Sequence, residues 1–433
     1  MLKSNFFKTT IILLIASMIT KLLGFVIRLY ITKIIGLDGN SLLSIINPIY
    51  SLLTQIVTFS FPLTISKLIS ERKYASSKII VNALYIMIIL NILVIFIVGL
   101  NANFIATTLL KNKTTNYLII TMLLTLPFIS ISSIVKGYFF GNQKMLPYAF
   151  SNILEQLFRL ICFLLFLNKI FNYNGYVSIL FIIGLNIFSE TFSVFIFYLF
   201  LPKNIVFNTK LLNYDYQINK DIVALSTPNV LSKVIGNIFY FLEPIILIHF
   251  LLNKHLTYYY ITTNYALYNI YSLSILMLPS FIIGAIETSL IPELSKLYKF
   301  KNKKAFISRI KKSIFISLII GLFFMILIDI FGKQLLSVLY HDISAYKYLF
   351  WINQYFFLYY LESPINSALT ALFKNKIIFI TTIISNIIKI ILMIIFINLN
   401  YKLYSLVIAE FGAILIVLLI NGGYLKRIIK DLF

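Results

Sequence analysis

From residue 11 to residue 425 the chain is a succession of apolar runs of about 20 residues, broken only by short polar or basic stretches. The runs are continuous and lack the period-two alternation of a spanning β-strand, so each is long enough to cross a hydrocarbon core of about 30 Å as a helix. That feature confines the chain to an all-α, polytopic membrane fold. Charged residues make up 12% of the sequence, against about 25% in soluble globular domains.

Such windows lie near 11–35, 42–66, 79–100, 117–140, 149–171 and 177–201, and then near 221–252, 258–290, 307–331, 346–373, 377–398 and 403–425. Twelve spans leave both termini on one side. Of the 37 Lys and Arg, 23 fall in cytoplasmic segments if the N-terminus is inside, seven in outer loops and seven within the windows. The positive-inside rule therefore predicts cytoplasmic N- and C-termini in a bacterial inner membrane. The first window is too long for a signal-peptide core and lacks a small-residue cleavage site, so it is expected to remain as a span. The densest basic group, at 296–312, reads as topology and anionic-lipid contact; no nucleic-acid partner is expected.

One cysteine, Cys162, rules out an intrachain disulfide, and His249, His255 and His341 are too scattered for a ligand cluster. Neither a G-x-x-x-x-G-K-[ST] loop nor an H-E-x-x-H pair is present. Self-driven ATP hydrolysis and intramembrane metalloproteolysis are thereby excluded, and no cofactor is expected.

The two halves echo each other. TKLLG at 20–24 reappears as SKVIG at 232–236, ISKL at 65–68 as LSKL at 294–297, FGN at 140–142 as FKN at 373–375, and SN at 151–152 as SN at 385–386. The order is kept and the offset drifts slowly, as unequal loops would produce. The expected organisation is an N-terminal six-helix lobe at 1–205, a cytoplasmic linker at 206–220 and a C-terminal six-helix lobe at 221–433. With six spans each the lobes share one orientation, related by a pseudo-twofold axis along the membrane normal around a central cavity.

Seven cations fall inside spans. Lys33 and Lys136 lie near span ends, where a long side chain reaches the interface. Lys21, Arg28, Arg159, Lys233 and Lys389 do not, and a mid-membrane cation costs at least about 2.5–3.5 kcal/mol unless it faces a cavity or a partner. Ser17, Lys21, Gly24, Arg28 and Thr32 share one helical face, and Asn229, Lys233, Gly236, Tyr240 and Glu243 repeat nearly the same spacing. Two cationic stripes aimed at a cleft would make an anion site, with phosphate the common choice. The competing reading pairs these cations with the acids Glu155, Glu190, Glu243, Glu287, Asp329, Glu362 and Glu410; Glu243 in particular could be drawn to Lys233. Glu155 and Arg159 stand at i, i+4 in the order favourable for an intrahelical ion pair, giving them either a packing role or one in binding or gating. Lys389 has no carboxylate within one turn and is expected to seek a partner elsewhere.

The segments ITKLLGFVIRLYITKIIG (19–36), NPIYSLLTQIVTFSFPLTISKLISE (47–71) and KGYFFGNQKMLPYAFSNILEQLFRLI (136–161) together resemble the stage V sporulation protein B-like, polysaccharide-flippase branch of the multidrug/oligosaccharidyl-lipid/polysaccharide exporter superfamily. SLIPELSKLY (289–298) fits the matching element of the second lobe. The resemblance implies two six-helix lobes around a V-shaped cavity and alternating access without enzymatic chemistry. It also implies kinship with lipid II flippases, whose cavity cations engage the substrate pyrophosphate. Arg28 stands four residues after Gly24, where lipid II flippases usually have three, which favours the sporulation branch. The extra C-terminal helix pair of many relatives, and a lipid-tail groove built by it, are not expected.

The expected function is thus a flippase or exporter for a polyprenyl-pyrophosphate-linked saccharide, such as a peptidoglycan precursor in a spore-former. Lys21, Arg28 and Lys233 would bind the pyrophosphate, Arg159 and Lys389 would be secondary cations, and Glu155 and Glu243 would gate or pair. Membrane lipids are expected partners and cell-wall synthesis enzymes further candidates. Two alternatives remain open: a cation-coupled multidrug exporter on the same fold, and a non-transporting scaffold for cell-wall synthesis.

Overall fold

The computed structural model describes residues 2–142, 144–166, 175–201 and 214–432. Among them, nine helices are long and apolar enough to cross a membrane, or ten when the bent pair at 258–276 and 280–299 counts as one span. The chain is a multi-pass, all-α membrane protein. It divides into two compact units, Met1–Phe241 and Leu242–Phe433.

Unit 1 opens with α1 (Leu2–Thr58), followed by α2 (Phe61–Ser70), α3 (Ser76–Phe104) running into a π-turn at Ile105–Leu109, α4 (Thr115–Leu123), α5 (Leu126–Gly141), α6 (Met145–Leu165) and α7 (Gly175–Phe200). Helix α8 (Tyr216–Leu252) carries the chain from the first unit into the second. The 56 residues of Ile15–Ser70 would extend about 84 Å as one helix, far more than the roughly 30 Å of a single crossing. Two backbone breaks divide them: Gly36, at φ 62°, and Phe59–Ser60, at φ 45° and 51°. The left-handed region suits glycine, which explains that residue at the first break. The first two expected spans share this stretch.

Unit 2 continues with α9 (Tyr258–Ala266), a π-turn at Leu267–Ser272, α10 (Leu273–Leu276), α11 (Ser280–Lys299), α12 (Lys303–Tyr340), α13 (Tyr346–Phe356), α14 (Tyr359–Ala371), α15 (Asn375–Asn398) and α16 (Tyr404–Leu432). The expected span at 346–373 is two short helices, α13 and α14, that meet at Phe357–Leu358. Part of the expected linker, 206–213, lies outside the described residues. The break between compact units falls instead inside α8, between Phe241 and Leu242. The start of α8 belongs with unit 1 because Ile218 and Ile222 enter its core and Ser226 donates to Thr64 at 2.8 Å. Asn219 likewise donates to Asn82 at 2.8 Å.

The duplication read from sequence is visible in the packing. Helix α2 packs on α5 as α11 packs on α14, α3 packs on α4 and α5 as α12 packs on α13 and α14, and α6 packs on α7 as α15 packs on α16. Left-handed residues recur at matching places: Arg72 (φ 55°) and Lys301 (φ 51°), then Lys111 (φ 54°) and His341 (φ 55°). The turn that follows is also repeated. Asn112 Oδ1 accepts from Thr114 N and Oγ1 at 3.0 and 2.7 Å, and Asp342 Oδ1 accepts from Ser344 N and Oγ at 2.8 and 2.6 Å.

Close approach of α5 to α2 depends on glycine. A Cβ on Gly137 would sit 2.9 Å from Ile65 Cβ, and one on Gly141 would sit 2.7 Å from Ile69 Cβ. In lipid, where the hydrophobic effect does not drive helices together, such small-residue faces supply the dispersion contact. KGYFFG in the sequence already carried this G-x-x-x-G spacing.

Candidate functional site

Helix α1 has three faces. At about 100° per residue, Ala16 and Ile27 mark its buried side, and exposed Ile15, Leu22, Val26 and Tyr30 form an apolar side. Ser17, Lys21 and Arg28 are exposed on a third side, turned about 150° from the apolar one. The cations therefore do not share the face that Leu, Val and Ile offer to hydrocarbon. A Cβ on Gly24, between them, would meet only Gln156 Oε1, at 3.8 Å. No described residue forms an ion pair with Lys21 or Arg28.

The second stripe behaves similarly along its first half. Asn229 and Lys233 are exposed on α8, and a Cβ on Gly236 would meet nothing within 4 Å. Ser51 of α1 donates to Asn237 Oδ1 at 2.6 Å, and Asn237 donates to the Lys233 carbonyl at 2.9 Å, tying this turn of α8 to α1 within unit 1. Glu243 does not reach back to Lys233. It is buried in unit 2 on other partners, and Lys233 has no ion-pair partner among the described residues.

Arg159 and Glu155 meet as the i, i+4 spacing predicted, with Arg159 Nη2 at 3.1 Å from Glu155 Oε1. The pair is part of a larger cluster built by α5, α6 and α7. Arg159 Nη2 also lies 3.7 Å from Glu190 Oε1, its Nε donates to Ser189 Oγ at 2.9 Å, and Lys136 Nζ is 3.9 Å from Glu155 Oε2. Lys136, expected to reach the interface, thus turns inward. Two cations and two carboxylates thus meet in one cluster with no formal net charge. Glu190 Oε2 and Gln156 Oε1 remain buried without a hydrogen-bond partner among the described residues.

Lys389 does find partners elsewhere in the sequence, and they are carboxylates of its own unit. Its Nζ lies 2.6 Å from Glu243 Oε2 and 2.6 Å from Glu410 Oε2. Tyr265 donates to Glu243 Oε1 at 3.1 Å, Tyr268 to Glu410 Oε2 at 3.4 Å, and Asn269 to the Tyr265 hydroxyl at 3.3 Å. An ammonium between two carboxylates is more than neutralised, so its charge is already spent on fixing α8, α15 and α16. Glu243 and Glu410 were among the acids expected to pair with in-span cations, but Tyr265 and Tyr268 were not foreseen as partners. The tyrosines sit three residues apart on the wholly buried stretch 261–272, whose polar content was the available signal.

Outside the spans, Lys73 Nζ and the Tyr74 hydroxyl both bond Asp221 Oδ2 at 2.8 Å. The hydrogen bond to this carboxylate holds the Lys73 ammonium above its ordinary range.

Among the described residues, the in-span cations without an ion-pair partner are thus Lys21, Arg28 and Lys33 on α1 and Lys233 on α8, all in unit 1. They form exposed positive stripes suited to a multiply charged anion such as a phosphoryl group, which Lys and Arg bind through charge-assisted hydrogen bonds.

A family model described as polysaccharide biosynthesis protein matches residues 6–298. Stage V sporulation protein B of Bacillus subtilis (strain 168) is 29% identical over 388 residues, covering 86% of this chain and 74% of that protein. The lipid II flippase MurJ of the same organism is 29% identical over 187 residues, 40% of this chain and 34% of that protein. The inward-facing conformation of a multidrug resistance MATE family transporter of the MOP superfamily matches with a TM-score of 0.80, over 95% of each chain, at 14% identity. At that identity the likeness establishes the fold: the helices are arranged as in MOP-superfamily transporters.

Proposed function

From the premise that this chain belongs to the polysaccharide biosynthesis protein family, we propose that it is a flippase for a polyprenyl-pyrophosphate-linked saccharide. The carrying observation is that Lys21 and Arg28 stand exposed on one face of a membrane helix, apart from its apolar face and without an anionic partner among the described residues. Lys233 is the third contact. Arg159 and Lys389 act through their own ion pairs, holding the helices of each unit in register, and Glu155 and Glu243 are the acids of those pairs.

The substrate class is a lipid II-like peptidoglycan precursor, moved across the bacterial cytoplasmic membrane without chemical change, in a process tied to sporulation. Similarity to a lipid II flippase and to a sporulation protein supports both parts of this reading. N- and C-termini face the cytoplasm, and the basic group at 296–312 contacts anionic lipid and cell-wall synthesis enzymes there. The two six-helix lobes alternate access to a central cavity, and substrate shifts that equilibrium by binding one state better than the other.

Reconstitution in vesicles with a fluorescent lipid-linked saccharide tests the proposal. Wild-type protein is expected to carry label to the far leaflet, and a Lys21→Ala/Arg28→Ala variant of unaltered fold to lose most of that rate. Unchanged flipping in the double variant sinks the assigned roles.

A further inference from the structure

The second half of α1 carries a polar stripe that the ion pairs of unit 1 do not use. Asn47, Ser51, Thr54, Gln55 and Thr58 fall within about 100° of one another around that helix, inside the expected span 42–66. Ser51 is engaged by Asn237 of α8, and Thr58 donates to the Thr54 carbonyl at 2.8 Å. The side chains of Asn47 and Gln55 are half-buried and form no hydrogen bond with any described residue. Neither amide is sealed from solvent, in contrast to the partnerless Thr54 hydroxyl. Hydrocarbon offers an amide neither donor nor acceptor, so the space on which these two open holds water or a ligand.

Two bonds fix the register of α8 against this stripe. Ser226 bonds Thr64 of α2 and Asn237 bonds Ser51 of α1, so α8 runs antiparallel to the second half of α1. One turn from the Ser51–Asn237 bond, about 6 Å along both axes, Gln55 and Lys233 stand level with each other. Asn229, a further turn along the Lys233 face, is exposed; its amide nitrogen donates to the Leu225 carbonyl at 3.2 Å, and its Oδ1 accepts from no described residue. Two neutral amides thus flank an ammonium that has no ion-pair partner among the described residues. This seam is not part of the frame that the two units share. At the offset that aligns ISKL (65–68) with LSKL (294–297), Gln55 falls on Gly284 and Asn47 on Leu276. Packing the duplicated helices therefore does not require an amide at either place.

We propose that Gln55, with Asn229, is the specificity-determining contact for the first sugar of the substrate, the ring joined directly to the pyrophosphate. The inference rests on the flippase reading above, in which Lys233 holds that pyrophosphate. A carboxamide offers two N–H donors and a carbonyl acceptor, the complement of neighbouring ring hydroxyls or of a hydroxyl beside an acetamido group. It has no charge, so it adds little to the grip on phosphate and much to the choice of what the phosphate carries. The ring is bonded to the phosphoryl group itself, and the amides stand level with Lys233 and one turn from it, at the place such a ring would occupy. Charge on α1 and α8 thus recognises the pyrophosphate of any lipid carrier, and the amide seam tells a glycosylated carrier from a bare one.

Purified full-length protein in lipid nanodiscs is titrated with two probes: a polyprenyl pyrophosphate, and the same carrier bearing one N-acetylhexosamine on its pyrophosphate. Wild type is expected to bind the sugar-bearing probe about three- to tenfold more tightly, the value of one or two neutral hydrogen bonds. Gln55→Met, close in volume and lacking the amide, is expected to bring the two affinities together by weakening the sugar-bearing probe alone. Asn229→Leu, at an exposed position that folding tolerates, is expected to remove part of the preference and keeps the test open should Gln55→Met fail to fold. Lys233→Ala weakens both probes together. The subsite is overturned, with the pyrophosphate reading left standing, if wild type binds both probes equally or if both amide variants keep the full preference. It is overturned likewise if Gln55→Met weakens both probes by the same factor, which marks a structural role. Failure of wild type to bind either probe overturns both readings.

Discussion

Replacing Lys389 by Met keeps the volume and removes the charge that holds three helices of unit 2. At an effective dielectric of about 20, each contact of 2.6 Å is worth about 6 kcal/mol of attraction, before desolvation and the repulsion between the two carboxylates. Those opposing effects make the net worth of the triad small, but removing only its cation strands Glu243 and Glu410 in a buried site. Breaking a buried ion pair on one side costs about 3–5 kcal/mol. For a cooperative unit of this size that is a midpoint drop of about 6–20 °C. The informative comparison is Glu243→Gln/Lys389→Met/Glu410→Gln, which removes all three charges together. Neutralised buried pairs are often as stable as the originals, so the triple variant is expected to recover most of the loss. The assay is the thermal unfolding midpoint in one detergent and one buffer for wild type, single and triple variants. Equal damage in single and triple variants, or none in Lys389→Met, would refute an ammonium held by two buried carboxylates.

Three further outcomes follow from the packing and charge pattern. Gly137→Ala is expected to lower the melting midpoint, because its Cβ would lie 2.9 Å from Ile65 Cβ and overpacking costs about 1–3 kcal/mol. Gly99→Ala is the control: the nearest atom is Leu123 Cδ1 at 3.8 Å, so the helix propensity of Ala should leave its midpoint unchanged or raised. Arg159→Lys is expected to destabilise unit 1 by about 1–3 kcal/mol, since one ammonium cannot serve Glu155, Glu190 and Ser189 together; an unchanged midpoint would show that the guanidinium fork is not needed. In a Cys162→Ser background, an impermeant maleimide should label Lys304→Cys only from the cytoplasmic side and Lys254→Cys only from the outer side, and the opposite pattern would invert the proposed topology.

What the sequence disclosed divides along the range of the interaction. Apolar runs announced the helices, because spanning a bilayer forces each stretch to satisfy its own backbone. The repeated short motifs disclosed the duplication, since Arg72 and Lys301 sit in the same left-handed turn four residues past the matched ISKL and LSKL segments. The Glu155–Arg159 pair was legible because its partners lie one turn apart. Lys389 was not, because Glu243 stands 146 residues before it and no local window connects them. Which acid and which cation would join the Glu155–Arg159 pair was hidden for the same reason: Glu190 and Lys136 come from different helices, brought in by packing. The breaks at Phe59–Ser60 and Phe357–Leu358 escaped as well, because hydropathy continues across them while the backbone does not.

One duplicated frame has thus acquired two different buried ion clusters. In unit 1, Lys136 and Arg159 answer Glu155 and Glu190, and every further cation on α1 and on the first part of α8 is a surplus positive charge. In unit 2, Lys389 alone among the described residues answers Glu243 and Glu410, which leaves one negative charge in excess in that cluster. A single patch holding both surpluses would collapse into internal salt bridges and bind nothing, as the Glu155–Arg159 and Lys389–Glu243 pairs illustrate locally. Helix α8 carries Lys233 among the first set and Glu243 among the second, ten residues apart on one continuous helix.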